Sequence, residues 1–291
     1  MKNTNGEKTF FSYGLYTLSL LIFGTNGIHV SHISLPSSQI VLMRTLLGGI
    51  LLSCLVLLNG GFHKSSIRGE MVPLVLGGAA LGLNWVALFE AYRLLNVSLA
   101  TLIYYVGPII VLLFSPVLFH ERLTGRKAAA VIIVAVGLVC ISGSIVSAEM
   151  SLTGLLVAVI SALFYAALIV FNKKIKRTNG MQTAAVELDI AFVVVLLYTV
   201  FTSGLPNITG RDFPYILIIG FFNTGFAYLL YFTGLQRMSS QSVALLSYLD
   251  PVSALFFSAF FLHEVLTPIQ ITGALLIIGG ALFGEIKGIK K

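Results

Sequence analysis

A chain of 291 residues with 57% drawn from AVILMFWYC and only 10% charged lacks the polar surface to cover a compact body in water, where about a quarter of residues carry charge. A soluble enzyme of this length is excluded, which leaves a chain whose apolar side chains face lipid. The formal charge of +7 would suit a polynucleotide partner, but the positions of the basic residues exclude that too.

A membrane-spanning helix needs about 20 apolar residues to cross about 30 Å of hydrocarbon. In chain order, ten segments qualify: Phe11–His29, Ser38–Leu58, Met71–Leu94, Val97–Leu118, Arg126–Val146, Ser151–Phe171, Met181–Ser203, Asp212–Tyr231, Ser239–Leu262 and Leu266–Glu285. The first is too long for the apolar core of a signal peptide, and Gly24-Thr25-Asn26-Gly27 is no cleavage site, so it is retained as a span. The longest connection runs only from Gly60 to Glu70, so no water-soluble domain houses separate chemistry.

With the N-terminus placed on one side, that side collects Lys2, Lys8, Lys64, Arg68, Arg122, Arg126, Lys127, Lys173, Lys174, Lys176, Arg177, Arg237, Lys287, Lys290 and Lys291. The other side holds Arg93 and Arg211, and Arg44 lies within a span. This is the positive-inside bias, so both termini are expected in the cytoplasm, and the basic excess serves insertion and anionic lipid, with no nucleic-acid partner. Cys54 and Cys140 fall within apolar spans and predict no disulfide.

Sliding the chain against itself by 143 residues aligns Gly82 with Gly225, Tyr105 with Tyr248, Pro108 with Pro251 and His120-Glu121 with His263-Glu264. From Tyr105 to Thr124, nine of 20 positions are identical without a gap. Two halves, residues 1–147 and 148–291, are therefore expected to be copies of one five-span unit. Five is odd, so the second copy starts on the opposite side of the membrane. The predicted fold is an all-α membrane protein of ten transmembrane helices in two inverted five-helix repeats, with Glu121 at the inner face and Glu264 at the outer. A site at the interface of such repeats opens to either side by alternating access.

The two five-span halves, Phe23-Gly24-Thr25-Asn26 in the first span, Arg44 in the second, and the paired prolines followed by His-Glu resemble EamA-type carriers of the drug/metabolite transporter superfamily. The resemblance covers essentially the whole chain. It implies a secondary carrier of small metabolites, often an exporter of amino acids or related compounds, in the bacterial cytoplasmic membrane. Phe23 stands where such carriers often have Trp.

Polar groups at membrane depth need a partner, water or a function. At about 1.5 Å per residue, Arg44 lies about 9 Å below the outer boundary, Asp250 near the midplane and Glu187 about 9 Å above the inner boundary. A direct Arg44–Glu187 pair is thereby disfavoured. Arg44 is expected either to hold the fold in an ion pair with Asp250 or Glu90, or to anchor a substrate carboxylate through its planar fork or act as a gate. Asp250 stands where the other repeat has Gly107, and Asp250 or Glu187 is a candidate to exchange a proton against substrate. Pro108 and Pro251 each free a carbonyl four residues back, which points to a central cavity. Helical spacing puts Tyr105 and Tyr248 on cavity-facing stripes from opposite repeats. Asn26, Asn84, Asn223 and Trp85, the single Trp, complete the candidate substrate-binding or coupling set. The pairs Gly48-Gly49, Gly77-Gly78 and Gly279-Gly280 are expected to permit close helix approach.

No nucleophile elbow or catalytic triad is visible, so no catalytic residue is expected and the chain is not read as an enzyme. The histidines have no metal-ligand spacing, so neither a metal nor a cofactor is expected. His120-Glu121 and His263-Glu264 are expected to cap helix ends. The expected partners are a small-molecule substrate, the lipid bilayer and protons, as a monomer or a homodimer. The alternative from another class is a receptor or regulatory subunit on the same scaffold, which would bind ligand without moving it.

Overall fold

The computed structural model describes residues 4–95, 97–142, 151–263 and 265–285. Glu264, the expected end of the fifth span at residues 143–146, the boundary between residues 147 and 148, and the basic Lys2, Lys287, Lys290 and Lys291 lie outside them. Every regular element described is helical: α1 (Thr4–Gly24), α2 (Asn26–Val30), α3 (Ser37–Leu58), α4 (Lys64–Gly69), α5 (Met71–Leu94), α6 (Val97–Tyr104), α7 (Val106–Phe119), α8 (Gly125–Ser142), α9 (Leu152–Lys174), α10 (Gly180–Thr202), α11 (Phe213–Leu217), a π-helical segment (Ile218–Phe226), α12 (Ala227–Leu235), α13 (Ser240–Leu246), α14 (Leu249–Phe261) and α15 (Pro268–Glu285). Among the described residues, nine helical stretches are long and apolar enough to cross a membrane, three of them joined from consecutive pieces: Leu99–Phe119, Phe213–Leu235 and Ser240–Phe261. The expected tenth, Phe11–His29, is not one of the nine. It divides into α1 and α2 at Thr25, whose hydroxyl donates to the Ile22 carbonyl at 2.7 Å in competition with the backbone ladder.

Local sequence accounts for the helix ends. Asn179 accepts the Gln182 N–H at 2.9 Å at the start of α10, and Ser239 accepts that of Ser242 at 3.0 Å before α13. Thr267 and Gln270 form a reciprocal capping box before α15. Both fourth- and ninth-span helices break as the prolines require: α6 gives way to α7 at Tyr105, three residues before Pro108, and α13 to α14 at Ser247–Tyr248, before Pro251. His120 and His263 both have φ of 56°, the left-handed conformation that ends a helix.

Large apolar side chains such as Val117, Phe201 and Leu275 are exposed around the outside, as a lipid-facing surface requires. Inside, small residues let backbones meet. A Cβ on Gly137 of α8 would lie 2.7 Å from the Gly273 carbonyl of α15, and one on Gly273 2.6 Å from the Gly137 carbonyl. Gly48, Gly49, Gly77, Gly78 and Gly280 likewise face close neighbours, whereas Gly279 meets nothing within 4 Å, so its expected packing role is withdrawn.

The helix pairs exchange in kind when the halves are swapped: α5 packs on α9 as α12 packs on α1, and α7 on α9 as α14 on α1. Hydrogen bonds between the halves do the same. The Gln39 amide donates to the Gly204 carbonyl at 3.3 Å, and Gln182, 143 positions on, donates to the Gly61 carbonyl at 3.1 Å. Asp212 accepts the Ser34 N–H at 2.9 Å, and Glu70 accepts the N–H groups of Lys176, Arg177 and Thr178.

Burial alone would raise the Glu70 carboxyl, but these backbone donors and the Thr178 hydroxyl outweigh it and hold the group below its ordinary 4.5. A lowered carboxyl contributes stability above its unfolded value and loses it as pH falls through the folded one. Glu70→Gln is expected to lower the thermal midpoint at neutral pH, by the equivalent of about 1.5–3 kcal/mol for lost charged hydrogen bonds. The gap from wild type should close below pH 4.5 in a melting series in detergent; a gap that persists unchanged in acid would assign the loss to packing.

Candidate functional site

A cavity of about 480 Å³ lies between the two halves. Its walls reach from Val30, Ser37, Tyr92 and Thr101 at one end of the bundle down to Tyr105, Tyr165, Leu168 and Asp250. Val30 and Ser37 are exposed and mark the mouth, whereas Tyr105, Tyr165 and Leu168 are buried. The wall is aromatic for most of its depth. Trp85 meets Tyr228 edge-on at 5.8 Å, Phe23 packs on Tyr228 at 4.9 Å, and Tyr104 meets Tyr165 at 5.2 Å. The lining ring of Tyr231 in turn packs against Tyr16 at 5.1 Å, tilted by 35°.

Arg44 reaches this cavity from α3. Its guanidinium carbon lies 5.0 Å from the centre of the Trp85 ring, a cation–π contact, and its Nε donates to the Thr224 hydroxyl at 2.9 Å. The Thr224 hydroxyl in turn donates to the Ile219 carbonyl at 2.7 Å, five residues back in the π-helical segment. The wide turn of that segment sets Thr224 as a fixed acceptor for Arg44, in keeping with the frequent use of π-bulges at functional sites.

Asp250 enters from the opposite half, in the first turn of α14 just after the break at Tyr248. Its carboxylate accepts the Tyr105 hydroxyl at 3.0 Å. Tyr248 does not line the cavity. Its ring packs beside that of Tyr105 at 5.9 Å, and its hydroxyl donates to the Tyr105 carbonyl at 2.7 Å, fixing the broken fourth-span helix from below.

The structure thus brings Asn26, Arg44, Asn84, Trp85, Tyr105 and Asp250 to one cavity and leaves Glu187, Asn223 and Tyr248 out of its walls. Glu187 is fully buried between helices, where both carboxyl oxygens share the Asn172 amide nitrogen at 3.0 and 2.9 Å. A Cβ on Gly77 would lie 2.3 Å from it. Its expected depth along the helix carried no information on which way it faced. Asn223 donates to the Ile22 carbonyl at 3.0 Å and to Thr25 at 2.7 Å, so it satisfies the break in the first span. Pro108 and Pro251 are not among the residues that line the cavity.

The expected fold-holding ion pairs of Arg44 are corrected. Among the described residues the one ion pair joins Glu90 to Arg93 at 2.6 Å, and Glu90 also accepts the Tyr198 hydroxyl. Asn84 is anchored on Ser161 at 2.8 and 3.1 Å. The side-chain oxygen of Asn26 is buried without a hydrogen-bond partner among the described residues. Thr224 was missed because its relevance depends on the π-helical turn, and Tyr104, Tyr165 and Tyr228 because they converge from three separate elements.

Comparison with known proteins agrees with this architecture. The model of the EamA-like transporter family matches residues 11–143 and 152–284, one copy for each half. The chain is 26% identical over 269 residues to the uncharacterized transporter YxxF of Bacillus subtilis (strain 168), covering 90% of this chain and 86% of that protein. It is 30% identical over 174 residues to a protein of Salmonella typhimurium named a probable amino-acid metabolite efflux pump, covering 56% of this chain and 58% of the other. A solved protein structure matches with a TM-score of 0.83 at 21% identity, covering 96% of this chain and 97% of that one, so the fold is shared. With the family model accounting for both halves, the chain belongs to the EamA-like transporter family and is an integral membrane transporter protein.

Proposed function

We propose that the protein is a secondary carrier working by alternating access, and that its substrate is an amino acid or a closely related zwitterionic metabolite, moved outward. One observation carries the reading: Arg44 and Asp250, of opposite sign and from opposite halves, share one aromatic cavity with the Asn26 oxygen, which has no hydrogen-bond partner among the described residues. Arg44 takes the substrate carboxylate, Asp250 its ammonium or a proton, and the Asn26 oxygen accepts an N–H of the ammonium. The volume suits a small metabolite, within the usual range of about 300–1,000 Å³. The relatives named as amino-acid metabolite efflux pumps support the substrate class and direction.

The exchange of helix pairs and of the Gln39 and Gln182 bonds supports two copies related by a pseudo-two-fold axis. The repeats are inverted in this reading, with ten spans and the copies meeting near residues 147–148. The basic residues assign the end bearing Lys173 and Arg237 to the cytoplasm, so the cavity faces outward. The opposite end is closed by Glu121, which accepts the N–H groups of Ser240 and Gln241 at 2.7 and 3.1 Å.

Thermal-shift screening of amino acids on purified protein, followed by counterflow in vesicles for the hits, tests the proposal. Accelerated exchange of a zwitterionic hit is expected. Binding without flux would instead favour a receptor on this scaffold.

A further inference from the structure

We infer that the protein carries a second ligand site at the end of the bundle remote from the cavity mouth, a cationic cleft that binds a phosphate-bearing anion. The cleft has a volume of about 470 Å³, and Lys173, Lys174, Lys176 and Arg237 converge on it together with Glu121. The cations come from two separate elements: the end of α9 with the residues after it, and the turn between α12 and α13.

The one carboxylate is already engaged. Both Glu121 oxygens accept backbone N–H groups at the start of α13, so they are turned toward that helix. Lys173 is 9% exposed, and its ammonium donates to the carbonyls of Leu235 and Met238. Its charge is held at the wall of the cleft by neutral partners. Lys174, Lys176 and Arg237 are exposed, and among the described residues the one ion pair includes none of them.

The scaffold does not demand this charge. The 143-residue shift maps Lys173, Lys174, Lys176 and Arg237 onto Val30, Ser31, Ile33 and Leu94, none of them cationic. The positive-inside bias explains the sign of charge on this face, but not the convergence of four cations on one concave cleft. A phosphate group offers several acceptors to lysine point charges and to the arginine fork. Basic pockets between membrane helices take such groups from anionic lipid headgroups, and a free phosphate offers the same chemistry. The walls belong to the elements that close this end, so a bound anion favours the closed arrangement over one in which they part.

The test uses the full chain in neutral detergent. Thermal midpoints are compared with inorganic phosphate against chloride at matched ionic strength, and with phosphatidylglycerol against phosphatidylcholine in the micelle. At least one phosphate anion is expected to raise the midpoint by about 2–4 °C. Phosphatidylglycerol acting alone identifies a lipid headgroup, and inorganic phosphate acting by itself identifies a free anion. Lys174→Gln with Arg237→Gln should remove at least half of the rise, and Lys174→Arg with Arg237→Lys should retain it. No rise with either anion, or an equal rise in the glutamine variant, overturns the site.

Discussion

Arg44→Leu is expected to abolish transport while leaving a folded, correctly inserted protein. The fold is spared because Arg44 is held by a neutral hydroxyl and an indole face, not by a buried carboxylate. Its removal breaks no direct ion pair among the described residues, and Thr224 still donates to the Ile219 carbonyl. What disappears is a charged fork in a low-dielectric cavity. Losing a hydrogen bond to a charged group costs about 1.5–3 kcal/mol, or roughly 10–100-fold in affinity, and more where two such bonds form. Arg44→Lys keeps the charge but not the fork, and is expected to fall between leucine and wild type. Uptake into reconstituted vesicles at matched protein content measures this, with melting curves alongside. Near-normal uptake by the leucine variant would remove Arg44 from the site.

Asp250→Asn is the second variant with a large expected effect. Asparagine preserves shape and can still accept the Tyr105 hydroxyl bond seen at 3.0 Å, so the break at Tyr248 should survive. It can neither carry a negative charge nor exchange a proton. Wild-type uptake is expected to respond to an imposed pH gradient, and the asparagine variant to lose that response, along with roughly tenfold or more in affinity for a cationic or zwitterionic ligand. Uptake that ignores both the gradient and the substitution would refute coupling through Asp250.

The sequence carried the fold further than the site. Apolar run length located the helices, and the 143-residue shift exposed the duplication that the family model also divides into two segments. Even the breaks before Pro108 and Pro251 followed from the missing N–H groups. The cavity lining was legible only where one helix determined the answer, as for Arg44, Trp85, Tyr105 and Asp250. Glu187 was grouped with them on depth, but rotation about a helix axis is fixed by neighbours such as Gly77 and Asn172. Tyr248 was placed on the wall because its stripe matched that of Tyr105. Yet its hydroxyl binds the facing backbone, a preference that periodicity does not encode. The split of the first span at Thr25 escaped because a hydropathy run has no break where side chains satisfy the carbonyls.

The Gly107–Asp250 difference bears on energetics as well as binding. If the halves trade postures during the cycle, the Tyr105–Asp250 bond has no mirror image, because the counterpart of Asp250 is Gly107, which has no side chain to accept the Tyr248 hydroxyl, and that hydroxyl binds a carbonyl instead. The two end states therefore cannot be isoenergetic. In the proposed carrier cycle this substitution, together with others between the halves such as Arg44 against Glu187, gives one posture the lower energy, and with it a reason to release cargo on one side more readily than the other.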